Sequence, residues 1–470
     1  MSNYEISAPK MYQWLLFGVI SAVTVAMTLL GQLPLLVILA VGILFVVYSF
    51  REPLPALFLW YLSGSDFLAF ISIERLGIQL APGIRININD FLFVLLLSVA
   101  AYHLFRRRER LLFATPMTAW MLMLGISFFL TILQGHMNLD TGPQELRRSI
   151  GYASYFIYVA CLDSPKRFRA VINFWLILLV AAVSIQIAEF ALHQRFPALP
   201  GFEQYEGSYH SRLVEVNVGG MSTPYIWPRA DITIGLYLSL GALFEGRRRK
   251  TFLFLAVAGI LSTMLMLIRQ EYVGLAAGLI FLLIVRQKRI KTVAIVAVII
   301  ICFVLIASVV GLFISSSSQG SLWAVWIART STLLNFSKDA NFIGRVDTIS
   351  RQLDALREAP LFGLGLGWAY QPLWSTDIGM MNTLVKYGLV GTSVIGFVIF
   401  YVMRLGFRLY RRLPASIERG FVLGLIALLV SRLVMYPVGT DSFTSGAVVA
   451  VIMGVIDRVA AFSYTDTPAT

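Results

Sequence analysis

Three stretches of this sequence carry groups able to do chemistry. The first is Met266-Leu267-Ile268-Arg269-Gln270-Glu271-Tyr272, set between two apolar runs. An ionisable side chain at the mouth of such a hairpin is costly to keep there and is often functional. The structural alternative for Arg269 is an anchor that reaches the lipid–water boundary and pairs with Glu271. The second stretch is 341–359, where Phe342, Val346, Ile349, Leu353 and Leu356 recur at helical spacing. Arg345 falls on the shoulder of that stripe. Arg351 falls on the far, polar side, four residues from Asp347 and able to pair with it. A helix lying on a membrane would hold Arg345 at headgroup depth. The third stretch is Pro360-Leu361-Phe362-Gly363-Leu364-Gly365-Leu366-Gly367-Trp368. Glycine-rich runs can bring backbone amides close to phosphate. No strand precedes this one and no βαβ unit surrounds it, so it is not the dinucleotide fingerprint. Its alternative is a bend where the chain re-enters the membrane.

Other ionisable residues gather on the same side. Lys386 and Arg432 lie near span ends there, and Asp66, Glu189 and Asp231 are carboxylates within or beside spans. They either line a cavity or pair with one another. The outer carboxylates show no close ligand cluster, so no metal and no cofactor are expected. Cys161 and Cys302 are the two cysteines, and neither has a disulfide partner or metal-type spacing.

The elements that position these residues follow from composition. Of 470 residues 58% are apolar and 13% charged, with a mean hydropathy of +0.78. Soluble domains run at about 45–50% apolar and about 25% charged, so this chain needs lipid as part of its solvent. Backbone polar groups find no partner in lipid, which leaves helices or closed barrels. Barrel strands alternate in polarity over about ten residues, whereas this chain has continuous apolar runs of helical length. The expected fold is therefore all-α and polytopic, with about 12–14 transmembrane helices. Fourteen spans are expected, at 11–30, 33–50, 53–73, 90–105, 116–134, 149–162, 170–192, 229–245, 251–268, 272–285, 292–314, 378–403, 421–436 and 443–460. The first follows Lys10, lacks a small-x-small cleavage site, and reads as a retained span. No fixed repeat is visible, and residues 1–470 read as one integral membrane domain.

The formal net charge is +13. Counted over fourteen spans, every basic cluster falls on one side: 106–110, 166–169, 247–250, 286–291 and 404–419. That is the cytoplasmic side by the positive-inside trend, with both termini there. Basic runs can also bind nucleic acid, but short basic loops between spans read as topology determinants beside lipid headgroups. Two long loops face the other way, at 193–228 and 315–377, the second containing the amphipathic helix. Long ordered loops tend to be functional, which puts the working face on the outer, periplasmic side of a bacterial inner membrane.

Taken as a set, Arg269 in its tight hairpin, Gly344-Arg345, Pro360-Leu361-Phe362-Gly363-Leu364-Gly365-Leu366-Gly367, Asn382 and Tyr387-Gly388-Leu389-Val390-Gly391 resemble the O-antigen ligase and Wzy-type polysaccharide polymerase superfamily. The likeness covers about residues 260–400. It implies a GT-C-like membrane glycosyltransferase that takes a glycan from undecaprenyl diphosphate outside the inner membrane. The glycan passes to another saccharide or to lipid A core. By the resemblance, Arg269 and Arg345 hold the diphosphate, which suits guanidinium forks that bind phosphate oxygens and stay charged. The acceptor hydroxyl needs a proton acceptor, for which Asp347, Asp377, His210 and Glu271 are the candidates. The substrate-facing set is Arg351, Arg212, Gly365, Gly367, Asn382, Lys386 and Arg432. Two positions depart from the family pattern. Met381 stands where a histidine usually precedes the asparagine, and Ile349 stands where a tryptophan usually follows the loop arginine. The missing histidine favours a polymerase or an exopolysaccharide member over a lipid A core ligase.

The expected partners are a lipid-linked oligosaccharide, a glycan acceptor, the phospholipid bilayer and a chain-length regulator, with no nucleic acid. Trp323, Trp326, Trp368, Tyr370 and Trp374 either stack on sugars or form an interfacial belt. Two other readings stay open: a flippase or transporter for the same glycan, and a non-catalytic scaffold.

Overall fold

A computed structural model describes residues 42–64, 77–81, 84–109, 111–133, 146–147, 149–192, 213–218, 221–226, 230–246, 249–265, 269–286, 340–366, 379–437, 443 and 446–465. Contacts divide the chain into two compact units, Met1–Leu57 and Phe58–Thr470. In the first, helix α1 spans Gly42–Ser49, and α2 begins at Leu54 and continues to Gly64.

The second unit is built of helices. They are α3 (Ile88–Arg107), α4 (Ala114–Leu133), a 3-10 turn (Ile150–Ala153) leading into α5 (Ser154–Cys161), α6 (Pro165–Leu192), α7 (Ala230–Glu245), α8 (Arg249–Leu265), α9 (Arg269–Val285), α10 (Ala340–Glu358), α11 (Gly379–Arg412), α12 (Ile417–Met435) and α13 (Ala447–Thr465). Two antiparallel hairpins accompany them. Strands β1 (Gly77–Ala81) and β2 (Ile84–Asn87) form one, and β3 (Leu213–Val218) and β4 (Met221–Ile226) the other. The second hairpin lies inside the 193–228 segment.

Among the described residues four helices are long and apolar enough to cross a membrane: α3, α4, α6 over Pro165–Ile187, and α11; the pair α1–α2, bent by 117°, passes the same test only if taken together as one span. They coincide with the expected spans at 90–105, 116–134, 170–192 and 378–403. The expected spans at 149–162, 229–245, 251–268 and 272–285 are shorter apolar helices. Those at 421–436 and 443–460 fall on α12 and α13. The expected spans 11–30 and 292–314 lie outside the described residues, as do the first half of 33–50 and the end of 53–73. The outward surface agrees with lipid contact: Phe105, Leu122, Ile177, Phe254, Ile284 and Phe400 are each exposed by more than half. In water so many exposed large apolar groups would drive association.

Close packing in lipid comes from small residues that let backbones approach, and α12 carries them four apart. A Cβ on Gly424 would strike the Tyr237 carbonyl of α7, and one on Gly420 would press on Ala242. On α9, Gly274 and Gly278 make the same accommodation for Met435 and Ser431 of α12 and for Tyr237. Helices α7, α9 and α12 therefore form a tight three-helix unit, with the Tyr237 hydroxyl donating to the Gly274 carbonyl at 3.2 Å.

Described arginines at several helix ends are gathered by shared carboxylates at one end of this bundle. Arg107, ending α3, and Arg167, in the first turn of α6, share Asp163. Arg286, just past α9, and Arg419, in the first turn of α12, share Glu245 at the end of α7. Arg458 of α13 reaches Glu109 at 2.7 Å. These contacts bring the end of α3 to the start of α6, and the ends of α7 and α9 to the start of α12.

Candidate functional site

The opposite end collects the motif residues, and its organising feature is a broken helix. Within α11, Gly388 takes φ 62° and ψ −165°, a conformation essentially closed to side-chain-bearing residues. In an unbroken helix the amides of Leu389 and Val390 would bond to the carbonyls of Val385 and Lys386. Here both bonds are exchanged. The two carbonyls accept from Leu364 (2.7 Å) and Gly365 (3.0 Å), while the freed amides donate to Pro360 (2.9 Å) and Leu361 (3.0 Å). Unbonded backbone groups are very costly in lipid, so a break survives there only when something else satisfies it.

This exchange explains the glycine-rich run. Gly363 and Gly365 take φ 71° and 85°. A Cβ on Gly365 would collide with the Thr131 hydroxyl of α4, and one on Gly388 with the Leu361 carbonyl. The run is a clamp on α11. The Gly365 amide is bonded to the Lys386 carbonyl. Gly367 lies outside the described residues.

Helix α10 ends at Glu358, two residues before Pro360, and docks on the first part of α11. The docked face is Gln352, Ala355 and Ala359, with Ala355 packed among Leu364 and Val385. Gln352 is fully buried and donates to Asn382 Oδ1 at 2.9 Å. The apolar stripe faces elsewhere, for Leu353 is 45% exposed. Arg351 is exposed on the polar side, with Asp354, Arg357 and Glu358. Arg345 and Asp347 both lie in the second turn of this helix.

From Asn382 the polar contacts continue across the end of the bundle. Beside it, Thr383 accepts from the Tyr436 hydroxyl, and the Met380 amide donates to the Tyr436 carbonyl at 3.1 Å. One turn earlier on α12, Arg432 pairs through Nη1 with Glu271 Oε1 at 2.9 Å and donates through Nη2 to Thr233 at 3.1 Å. Both charged residues are buried. Glu271 sits in the first turn of α9, two residues after Arg269, which begins that helix. Elsewhere at this end Tyr387, packed against Trp120, shares a 2.7 Å hydrogen bond with Ser149.

The structure thus joins α7, α9, α10, α11 and α12 at one end, and so brings together the elements that carry Arg269, Arg345, Asn382, Lys386 and Arg432. Arg432 pairs with Glu271 and donates to Thr233, and so braces α12 against α9 and α7. Glu271, answered by that arginine, is accounted for as its counter-ion. Lys386 is half-buried within one turn of the break. Arg212, Asp377 and His210 lie outside the described residues, as do Trp323, Trp326, Trp368, Tyr370 and Trp374. Among the described residues no group of three His, Cys, Asp or Glu could hold a metal ion.

Sequence reading missed the Gln352–Asn382 pair and the Arg432–Glu271 pair. Small residues at i and i+4 in α9 and α12 were the available signal for the packing that encloses the latter. No family model matches the chain, and no curated protein matches it.

Proposed function

We propose that the chain is a polysaccharide polymerase or ligase-like membrane glycosyltransferase. It moves a glycan from an undecaprenyl-diphosphate carrier to a saccharide acceptor at the periplasmic face of the inner membrane. The observation that carries this reading is the chain of contacts just described. Arg269 begins α9, Arg345 lies on α10, and both helices are tied to the end of the bundle remote from the basic clusters. Arginines carried on two helices of that end suit a diphosphate lying at the lipid–water boundary.

In this reaction the acceptor hydroxyl oxygen bonds to the anomeric carbon as the bond from that carbon to the carrier phosphate breaks. Negative charge grows on the departing diphosphate, and fixed cations there lower the barrier. Arg269 and Arg345 are assigned that role. Arg432 and Glu271 hold the first turn of α9, and with it the start of the Arg269 helix. Asn382, bonded to Gln352, fixes α10 against α11.

The transporter reading draws on broken helices whose freed carbonyls bind ions or substrate. In α11 the carbonyls of Val385 and Lys386 are taken by Leu364 and Gly365, which weighs against it. The test is Arg269→Ala and Arg345→Ala, made separately, with glycan chain length and lipid-linked intermediates assayed in cells. Loss of long polymer with accumulation of single-repeat lipid-linked units is expected. Unchanged polymer in both variants would remove the catalytic assignment, and donor trapped on the cytoplasmic leaflet would indicate transport.

A further inference from the structure

We infer that the corner joining α10 to the glycine clamp is a re-entrant membrane anchor, sunk from the outer side into the hydrocarbon of the bilayer. The occupant of its apolar surface is the acyl chains of bulk phospholipid. The inference holds whichever reaction the outer end carries out.

Depth is the first argument. Helix α11 carries no charged residue from Leu389 to Met403, and Arg404 begins its basic end. A helix needs about 20 residues to cross the hydrocarbon. Counting that length back from Arg404 reaches the turn containing Asn382 to Lys386. Leu389 and Val390 lie below that level. Their amides are bonded to Pro360 and Leu361, so the corner is pinned at the same depth, about one turn inside the hydrocarbon boundary.

Surface chemistry is the second argument. Leu361 and Phe362 are 58% and 39% exposed at the tip of the corner, although they are large and apolar. They adjoin the outward flank of α11, where Leu389, Val390 and Phe397 are exposed too. Those residues, with Ser393 and Val394, line a shallow apolar groove of about 400 Å³. The surface of the corner is thus continuous with the lipid-facing side of a helix able to span the bilayer. Helix α10 repeats the pattern. Its docked side is Gln352, Ala355 and Ala359, and its polar side carries Arg351, Asp354, Arg357 and Glu358. The remaining flank, with Ile349, Leu353 and Leu356, is apolar and only partly covered. A helix with one docked, one apolar and one charged flank fits an interfacial position, with the charged flank toward water.

Backbone satisfaction is the third argument. The four exchanged hydrogen bonds leave the break with no bare amide or carbonyl at Val385, Lys386, Leu389 or Val390. Non-helical backbone is tolerated at membrane depth only on such terms. In water the solvent could satisfy these groups and so complete an exchange would not be needed.

The test is spin-label accessibility in proteoliposomes. Single cysteines replace Leu361, Leu353, Phe397 and Arg357 in turn, in a chain carrying Cys161→Ala and Cys302→Ala. Phe397 serves as the lipid reference and Arg357, an exposed polar-flank residue, as the water reference. Labels at Leu361 and Leu353 are expected to match Phe397, colliding readily with oxygen and poorly with a water-soluble nickel chelate. Labels resembling Arg357 at either position would overturn the inference. Labels shielded from both reagents would also overturn it, because a protein surface would then be the occupant. Since these side chains point outward, labelling spares the packing; a second measurement, depth-dependent relaxation by nitroxide-labelled lipid, reads the same positions without relying on the chelate.

Discussion

The two ends of the bundle solve the problem of buried charge differently. At the basic end Asp163, Glu245 and Asp457 each have several donors. Asp163 takes Arg107 and Arg167, and Glu245 takes Arg286 and Arg419. Asp457 accepts from the Leu112 amide, the Tyr155 hydroxyl and Arg458. Arg419 and Arg286 also lie over the Tyr410 ring. At the opposite end Glu271 has one ion-pair partner among the described residues, Arg432. The helices there are joined mainly through neutral groups and exchanged backbone bonds. The arginines at the helix ends bring a surplus of donors to the first end. Among the described residues the Arg432–Glu271 pair at the other end shows no such surplus, so it is more exposed to the loss of one side chain.

That contrast predicts the largest effect. Arg432→Met leaves Glu271 buried without its counter-ion, and breaking such a pair costs about 3–5 kcal/mol. Thermal unfolding of the purified protein in detergent is expected to fall sharply. The double variant Arg432→Met with Glu271→Leu is expected to recover most of the loss, because both charges go together. Arg419→Met is expected to cost far less, since Glu245 keeps Arg286. Equal losses for Arg419→Met and Arg432→Met would erase the difference between the ends.

A second, smaller effect concerns the break. Gly388→Ala forces a Cβ into a backbone conformation that costs of the order of 1–3 kcal/mol, and against the Leu361 carbonyl as well. If α11 escapes by becoming continuous, Val385 and Lys386 would reclaim the amides of Leu389 and Val390, and the clamp would detach. Limited proteolysis around 360–366 is then expected to accelerate while the basic end stays resistant. A uniform loss of resistance at both ends would mean that the break is not a local device.

Much of this was legible in the sequence, and the remainder has identifiable reasons. Apolar runs gave the helices, because continuous hydrophobicity has no other use at that length. The end of α10 just before Pro360 was readable because proline cannot continue a helix. The docked side of α10 was not. In water the stripe of Ile349, Leu353 and Leu356 would turn inward, but beside lipid it has no reason to, and the side bearing Gln352, Ala355 and Ala359 packs instead. The break at Gly388 was hidden because Tyr387-Gly388-Leu389-Val390 reads as ordinary apolar helix. Only its partners, more than twenty residues earlier in the chain, disclose it. The hairpins left a trace: Pro82-Gly83 separates β1 from β2, and Gly219-Gly220 separates β3 from β4, both recognised turn signals. Arg432 and Glu271 are 161 residues apart, beyond the reach of any local pattern. For the candidate site, the helices bearing Arg269 and Arg345 were legible, but the braces that hold them were not.

The smallest predicted effect lies within α10 and sharpens the contrast from the other side. Arg357 and Asp354 form a salt bridge at 2.8 Å, three residues apart, with side chains 81% and 66% exposed. By geometry alone this pair rivals Gln352–Asn382 at 2.9 Å. Solvent decides between them. Water and salt screen the exposed pair, and fixing two mobile side chains costs entropy, so such contacts contribute about 0–1 kcal/mol. Gln352 and Asn382 are buried, and losing a hydrogen bond between buried groups costs about 1–3 kcal/mol. Arg357→Gln is therefore expected to leave the unfolding temperature almost unchanged. Gln352→Leu is expected to lower it and to loosen α10, read as faster hydrogen exchange along 348–358. If Arg357→Gln proves as damaging as Gln352→Leu, charge would be holding α10 in place, and the two ends of the molecule would no longer differ in kind.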